Sequence, residues 1–524
     1  MKKIMFNYIY TGIAGLMVVF ATSCTGDLDT DPRVEQTIDN ILDEDPDAYK
    51  GMLAKIYSAF ILTGQETSGQ TDVVAPDAGA SSYIRNYWNF QELTTDEALN
   101  RWGDGGLDAL NRLNWTAGNN FVRILYDRIY LEVAMANNFL RETQGIEDEE
   151  IQDFRNEARF LRALAYWHAI DMFGNVPFVT ENDPVGNFEP PRYTREALFN
   201  YVENELLEII PLMKDPGTNE YARADRVAAW MLISKLYLNA EVYIGEPRYS
   251  EALTYLDNIV RESGYSLEPD YQNLFLADND NSREIILPLA SDGLRSQSYG
   301  GTTYIIHAGI SNSTMNPSDF GVNGGWEGNR TTSAFVDLFG NLETNGDRRA
   351  LFHTEGHIKE NTDYTAFNNG YAIAKFKNIT ASGDMGSDTS GEFVDTDFPL
   401  FRLADAYLMY AEAVVRGGTG GDLSTALDLV NQLRERAYGD TSGNIGSAAL
   451  TLDFILDERG RELYWEGHRR TDLIRFGKFT GNTYLWPWKG ATLGGSAVES
   501  FRTLLPIPLT DLGVNSNLVQ NPGY

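Results

Sequence analysis

The chain has 524 residues, 43% of them hydrophobic and 12% aromatic, enough to bury a large core and too apolar for wholesale disorder. Its 75 acidic residues against 42 basic ones leave a net charge of −33, which speaks against a nucleic-acid partner and describes a solvated acidic surface. The single cysteine, Cys24, leaves no partner for an intramolecular disulfide and no cysteine-based metal site.

Lys2 and Lys3 open the chain, and a thirteen-residue apolar stretch follows from Ile9 to Ala21. At ~1.5 Å per residue it covers roughly 20 Å, short of a ~30 Å hydrocarbon core. A basic start, a short apolar run and the small residues Ala21, Thr22 and Ser23 describe an export signal over residues 1–23. Cys24 directly after them resembles a lipobox cysteine, although Ala21 stands where Leu is usual. Its thiol is expected to carry acyl chains, each buried CH₂ contributing ~0.8 kcal/mol of membrane affinity. Asp27, Asp29 and Asp31 lie close behind this anchor.

Most of the remaining chain reads as helix. Residues 153–173 carry apolar side chains on nearly all sides, which predicts a buried helix stopped at Gly174-Asn175 with Pro177 beyond. Two later stretches pair helices rich in small residues. One runs from Ala228 through Tyr237, turns at Gly245-Glu246-Pro247 and continues over Ser250 to Arg261. The other runs from Ala404 through Ala411, turns at Gly417 to Gly421 and continues over Leu423 to Arg436. Such pairs resemble tetratricopeptide units, each burying a face against the next. Between them, residues 264–399 are rich in Gly, Asn, Ser and Thr with scattered aromatics, a composition for loops and short strands. An irregular stretch of that length is expected to serve function.

No nucleophile elbow, P-loop or dinucleotide fingerprint is present. His353 and His357 stand four apart in HTEGH, but not in the zincin order, and they read as loop residues. The many carboxylates leave the paired-carboxylate chemistry of glycoside hydrolysis open without singling out a pair. Aromatic rings beside glycines are the better clue, because sugars stack C–H faces on flat rings and bond their hydroxyls to Asp, Asn and Arg. The candidates are Trp102 in NRWGDGG, Tyr299 in SYGG and Trp326 in GGWEGNR, with Asp77 and Arg85 in the polar string DAGASSYIR.

Five strings together resemble the SusD/RagB family. They are RFLRALAYWHAIDMFGNVPF (159–178), RADRVAAWMLISKLYLNA (223–240), FPLFRLADAYLMYAEA (398–413), DERGRELYWEGHRRTDLIRFGKF (457–479) and LLPIPLTDLGVNSNLVQNPGY (504–524). The resemblance implies an all-α fold: a tetratricopeptide-type helical scaffold over about 24–263 and 400–524, with a loop-rich ligand-binding insertion over about 264–399, all in one domain. It implies a lipoprotein of the outer membrane, facing the cell exterior, that captures glycan without catalysis and hands it to a SusC-like TonB-dependent transporter. Within the family, ADNDN, EIILP, YGGTTY and YLWPWKG resemble the starch-binding branch, implying a starch-like α-glucan held on an arc of Trp102, Tyr299 and Trp326, with Asp77 and Arg85 on its hydroxyls. Asn100 stands where that branch has another Trp, and Gly105 where it has Asn. Capture of a different glycan or of peptides by the same lid arrangement, or a surface glycosidase, are the alternatives. The resemblance also implies a structural Ca²⁺ on Asp278, Asp280, Glu284 and Asp395 as a possible addition, with no required cofactor. Trp465, Arg469 and Arg470 are expected to be scaffold.

Overall fold

The computed structural model describes residues 47–65 and 67–524, so the expected export signal and Cys24 lie outside the described residues. Among them no helix is long and apolar enough to cross a membrane.

The longer helices run in chain order as α1 (Ala48–Ser58), α2 (Tyr83–Glu92), α3 (Asn120–Glu142), α4 (Glu149–Met172), α5 (Arg195–Ile209), α6 (Arg226–Leu238) and α7 (Tyr249–Glu262). They continue as α8 (Gly301–Ala308), α9 (Leu403–Val415), α10 (Leu423–Tyr438), α11 (Leu452–Leu463) and α12 (Arg469–Arg475). Within residues 53–524, a single compact unit, neighbours in sequence pack on one another: α3 on α4, α4 on α5, α6 on α7, then α7 on α9 and α9 on both α10 and α11. This is the all-α stack of helical pairs that the sequence implies.

The buried helix α4 begins at Glu149, four residues before the stretch its apolar run marks, because Asp148 accepts hydrogen bonds from the amides of Glu150 (3.0 Å) and Ile151 (3.2 Å). A capping carboxylate satisfies donors that would otherwise face solvent unpaired, so the first turn forms ahead of the apolar run. From Glu157 to Met172 only Arg159 escapes full burial. The chain then leaves the helix at Gly174, whose φ of +73° favours glycine. Helix α10 likewise runs two residues past its expected end, to a left-handed Gly439 at φ +77°.

Residues 264–399 hold only short elements. Four of the short strands bear on the site: β1 (Leu99–Asn100), which lies ahead of this stretch, β2 (Ile285–Leu289), β3 (Asn329–Arg330) and β4 (Phe398–Arg402), which runs out of it. They pair antiparallel as β1 with β3, placing Asn100 opposite Asn329, and as β2 with β4, placing Ile285 opposite Arg402. The first pairing ties the loop before Trp102 to the loop after Trp326.

Beneath the loops lies a buried network of charge. Arg402 bonds Glu284 (2.8 Å), Glu462 (2.7 Å) and Glu466 (2.5 Å), and Arg349 bonds Asp347 (2.7 Å), Glu458 (2.8 Å) and Glu462 (3.0 Å). Each charge is therefore paired, the condition under which buried ions are tolerated. Arg469 forms two bonds to Asp96 (2.8 and 2.7 Å), Arg470 donates to the Thr503 carbonyl (2.9 Å), and Trp465 is 1% exposed, all three within the scaffold as expected.

Candidate functional site

Helix α2 is buried along its whole length and starts at Ser82, whose hydroxyl accepts from the Arg85 amide. It carries the Arg85 guanidinium into the interior, where the side chain is 5% exposed. There its Cζ lies 4.3 Å from the centroid of Tyr304 and 5.7 Å from that of Trp102. Its one charged neighbour is Asp77, at 3.9 Å, and its Nε makes no hydrogen bond among the described residues. A buried donor without an acceptor is costly, and Arg85 shares this state with other arginines of the chain, among them Arg162 and Arg470.

The rings named from the sequence are linked to one another, and Trp102 is the one beside this arginine. Trp102 donates its indole N–H to the carbonyl of Trp326 at 3.1 Å, across 224 positions of chain. Trp326 and Tyr299 have centroids 6.5 Å apart, and all three rings are half-buried, each leaving surface to solvent. Asp77 is exposed at the edge, its carboxylate accepting from the Ala80 amide at 2.8 Å. The glycines beside the rings allow this approach: a Cβ on Gly328 would sit 2.6 Å from the Trp102 ring, and one on Gly300 would sit 2.1 Å from the Ser82 Cβ. Glu327, next to Trp326, holds a left-handed φ of +51°, a conformation that costs a non-glycine residue energy. Its carboxylate pairs with Arg101 at 3.0 Å.

Several partners of the site had no signal in the sequence. His307 stacks under Trp326 with centroids 4.6 Å apart and planes 18° from parallel, so one face of that indole is covered. Burial holds the imidazole below its ordinary range, and its nitrogens lie 2.7 Å from the Gly324 carbonyl and 3.1 Å from that of Glu392. Tyr299 donates its hydroxyl to the Glu392 carboxylate. Tyr304, in the string YGGTTY, donates to Asn89 at 2.9 Å and so fixes the ring beneath Arg85. Asn100 cannot act as a sugar platform: it is 1% exposed, donates to Asn329 (2.7 Å) and accepts from the Trp102 amide (2.7 Å), anchoring the Trp102 loop. Gly105 lies exposed, and a side chain there would meet nothing.

The Ca²⁺ set expected on Asp278, Asp280, Glu284 and Asp395 is not assembled. Among the described residues no three His, Cys, Asp or Glu side chains group to hold a metal ion. Glu284 is fully buried between Arg402 (2.8 Å) and Arg436 (2.6 Å), its charge already matched. Asp278 accepts from the Ala381 amide (3.0 Å), Asp280 from Asn281 (2.9 Å), and Asp395 from the Gly293 amide (2.7 Å) and the Ser387 hydroxyl (2.6 Å). His353 and His357 instead hold loops, His357 lying 2.9 Å from both the Gly370 carbonyl and the Thr314 hydroxyl.

The chain matches the SusD family over residues 342–524, and the family described as starch-binding associating with outer membrane over residues 42–238. It is 35% identical to the starch-binding protein SusD of Bacteroides thetaiotaomicron, over 96% of each chain. It is 28% identical to the SusD-like protein P25 of Formosa agariphila over 76% of this chain and 78% of that one. Among solved structures, surface glycan-binding protein A from Bacteroides fluxus superimposes with a TM-score of 0.70 at 21% identity, covering 92% of this chain and all of that one. Surface glycan-binding protein A from Bacteroides thetaiotaomicron, in complex with laminarihexaose, does so with a TM-score of 0.67 at 19% identity, covering 90% and 98%. With a full-length relative above one-third identity and the helical-pair architecture in common, this chain belongs to the SusD/RagB family.

Proposed function

We propose that this protein is a non-catalytic, lipid-anchored carbohydrate receptor on the outside of the outer membrane. It captures a starch-like α-glucan on the face formed by Trp102, Tyr299 and Trp326, and delivers it to a SusC-like TonB-dependent transporter. The observation that carries the reading is the set of three half-buried rings, Trp102 bonded to Trp326 and Trp326 beside Tyr299, with the Arg85 guanidinium next to Trp102. Sugar hydroxyls accept from guanidinium while the ring faces take the C–H surface, so one ligand answers both. The starch-binding relative supports an α-glucan, and the laminarihexaose complex of a fold neighbour fits glycan capture in general.

A second reading, capture of another glycan by the same face, is favoured by Asn100, which removes one ring from the arc and buries an amide in its place. Isothermal titration calorimetry with maltoheptaose and laminarihexaose separates the two. Binding of maltoheptaose alone is expected, laminarihexaose alone selects the second reading, and neither rejects a glucan receptor. Incubation with amylopectin at trace protein concentration should release no reducing ends, and turnover would overturn the non-catalytic part. Gentle detergent extraction should recover the chain with a barrel-sized partner; recovery only as a monomer would count against delivery to a transporter.

A further inference from the structure

A cavity of about 460 Å³ opens among the turn at 217–225, the segment 263–265 and the start of β2, sharing no residue with the face around Arg85. Its volume falls within the roughly 300–1,000 Å³ of small-molecule sites. Tyr221 stands in its wall 52% exposed, an unusual amount for a large ring. The ring is nonetheless held: its hydroxyl donates to Asp397, whose other oxygen accepts from the Ser291 amide at 2.7 Å. The next residue, Ala222, has a left-handed φ of +61°, an energetically costly turn for a residue with a side chain. An exposed ring fixed at its tip and presented by a strained turn is a prepared surface rather than a stray side chain.

The polar lining is mixed in sign. Arg223 is committed to Glu157 through two bonds (3.1 and 2.5 Å), and Asp225 caps α6. Arg283 is exposed at the rim and has no ion-pair partner among the described residues. Asp280 lies in the same wall, and Tyr265, half-buried, presents a second ring. A simple anion would face Asp225 and Asp280 as well as the overall charge of −33. A ligand whose hydroxyls both donate and accept can use carboxylate and guanidinium together, while its C–H face covers Tyr221.

We infer that this cavity is a second, separate saccharide subsite, with Tyr221 as its platform and Arg283 and Asp280 as its hydroxyl partners. The inference rests on the glycan-binding reading given above and extends it to a ligand held in two places. Glu392, which orients Tyr299, and Asp397, which orients Tyr221, are five residues apart and so within about 18 Å along the chain. Two subsites that close engage a polysaccharide together, so the second contact forms at high effective concentration.

Hydroxyl-radical footprinting of the full mature protein with saturating maltoheptaose tests this directly. Tyr221 and Tyr265 should be protected several-fold, alongside Trp102 and Trp326. Protection of Trp326 with Tyr221 unchanged would overturn the subsite and leave the first face intact. Protection of Tyr221 with Trp326 unchanged would uphold the subsite and overturn the first face; protection at neither would overturn both. In affinity electrophoresis, Arg283→Ala and Tyr221→Ala should each weaken amylopectin retention by about tenfold while leaving maltoheptaose affinity at the Trp326 face within error. Tyr221→Phe should retain amylopectin better than Tyr221→Ala, and equal loss in both would shift the cause from the ring to its hydroxyl contact and refute the platform. Arg283, exposed and without an ion-pair partner among the described residues, can be replaced without disturbing the fold.

Discussion

Replacing Trp326 with alanine isolates the contribution of one ring to capture. A Trp side chain buries roughly 150–250 Å², and His307 covers one face of this one, so about 80 Å² of ring remains for a sugar. With an equal area from the ligand, ~25 cal/mol per Å² gives about 4 kcal/mol before ordering costs. Immobilising ligand and loop removes part of that, leaving on the order of 2 kcal/mol, a loss of tenfold or more in affinity. The backbone of the site should persist, because Trp326 holds its place through main-chain atoms. Its amide donates to the His307 carbonyl at 2.7 Å, and its carbonyl accepts from the Trp102 indole. The control is Trp167→Ala in α4, where a 3% exposed side chain packs in the core and its loss should cost about 3–5 kcal/mol of stability. Calorimetry with maltoheptaose beside thermal melts reads both effects. The expected pattern is weak binding with a near-native melt for Trp326→Ala, and a sharply lowered melt for Trp167→Ala. Unchanged affinity in a folded Trp326→Ala protein would refute the ring's role.

Acid should unfold the scaffold through its buried carboxylates. Burial pushes Glu458 upward, but Arg349, Arg461 and Arg434 outweigh it and hold the carboxyl at about 2 against an ordinary 4.5. The unfolded chain therefore takes up this proton first, and ~3 kcal/mol present above pH 4.5 is lost as pH falls towards 2. Urea unfolding at pH 5 and pH 3 should show the drop, and Glu458→Gln should show a smaller one; an equal drop in both would remove Glu458 as a source. Because Glu284 is already neutralised by two arginines, Ca²⁺ and EDTA should leave the melting temperature unmoved, and a clear Ca²⁺-dependent rise would restore the cation site. Cys24→Ala should abolish radioactive fatty-acid labelling and release the protein from membranes, since no other thiol exists; persistent labelling would defeat the lipobox assignment.

The scaffold was legible because its information is local. The apolar run of α4, the small-residue pairs of α6–α7 and α9–α10 and the glycines that end them are patterns within a few turns of chain, and the helices follow them to within a few residues. The composition of residues 264–399 likewise announced loops, and glycine-flanked rings marked Trp102, Tyr299 and Trp326 as a set. What the sequence could not supply was the company each charged side chain keeps. Arg85 stood in a polar string and proved to lie on a buried helix over the Tyr304 ring, while Glu284 looked like a cation ligand and proved to be the partner of two arginines. Asn100 looked like a missing ring and is the clasp between β1 and β3. A helix is set by neighbours three and four residues away, whereas the role of an ionised group is set by whatever stands opposite it. Here those partners lie between 118 and 229 positions away in the chain, brought together only when the helical pairs close and the loops pack across them.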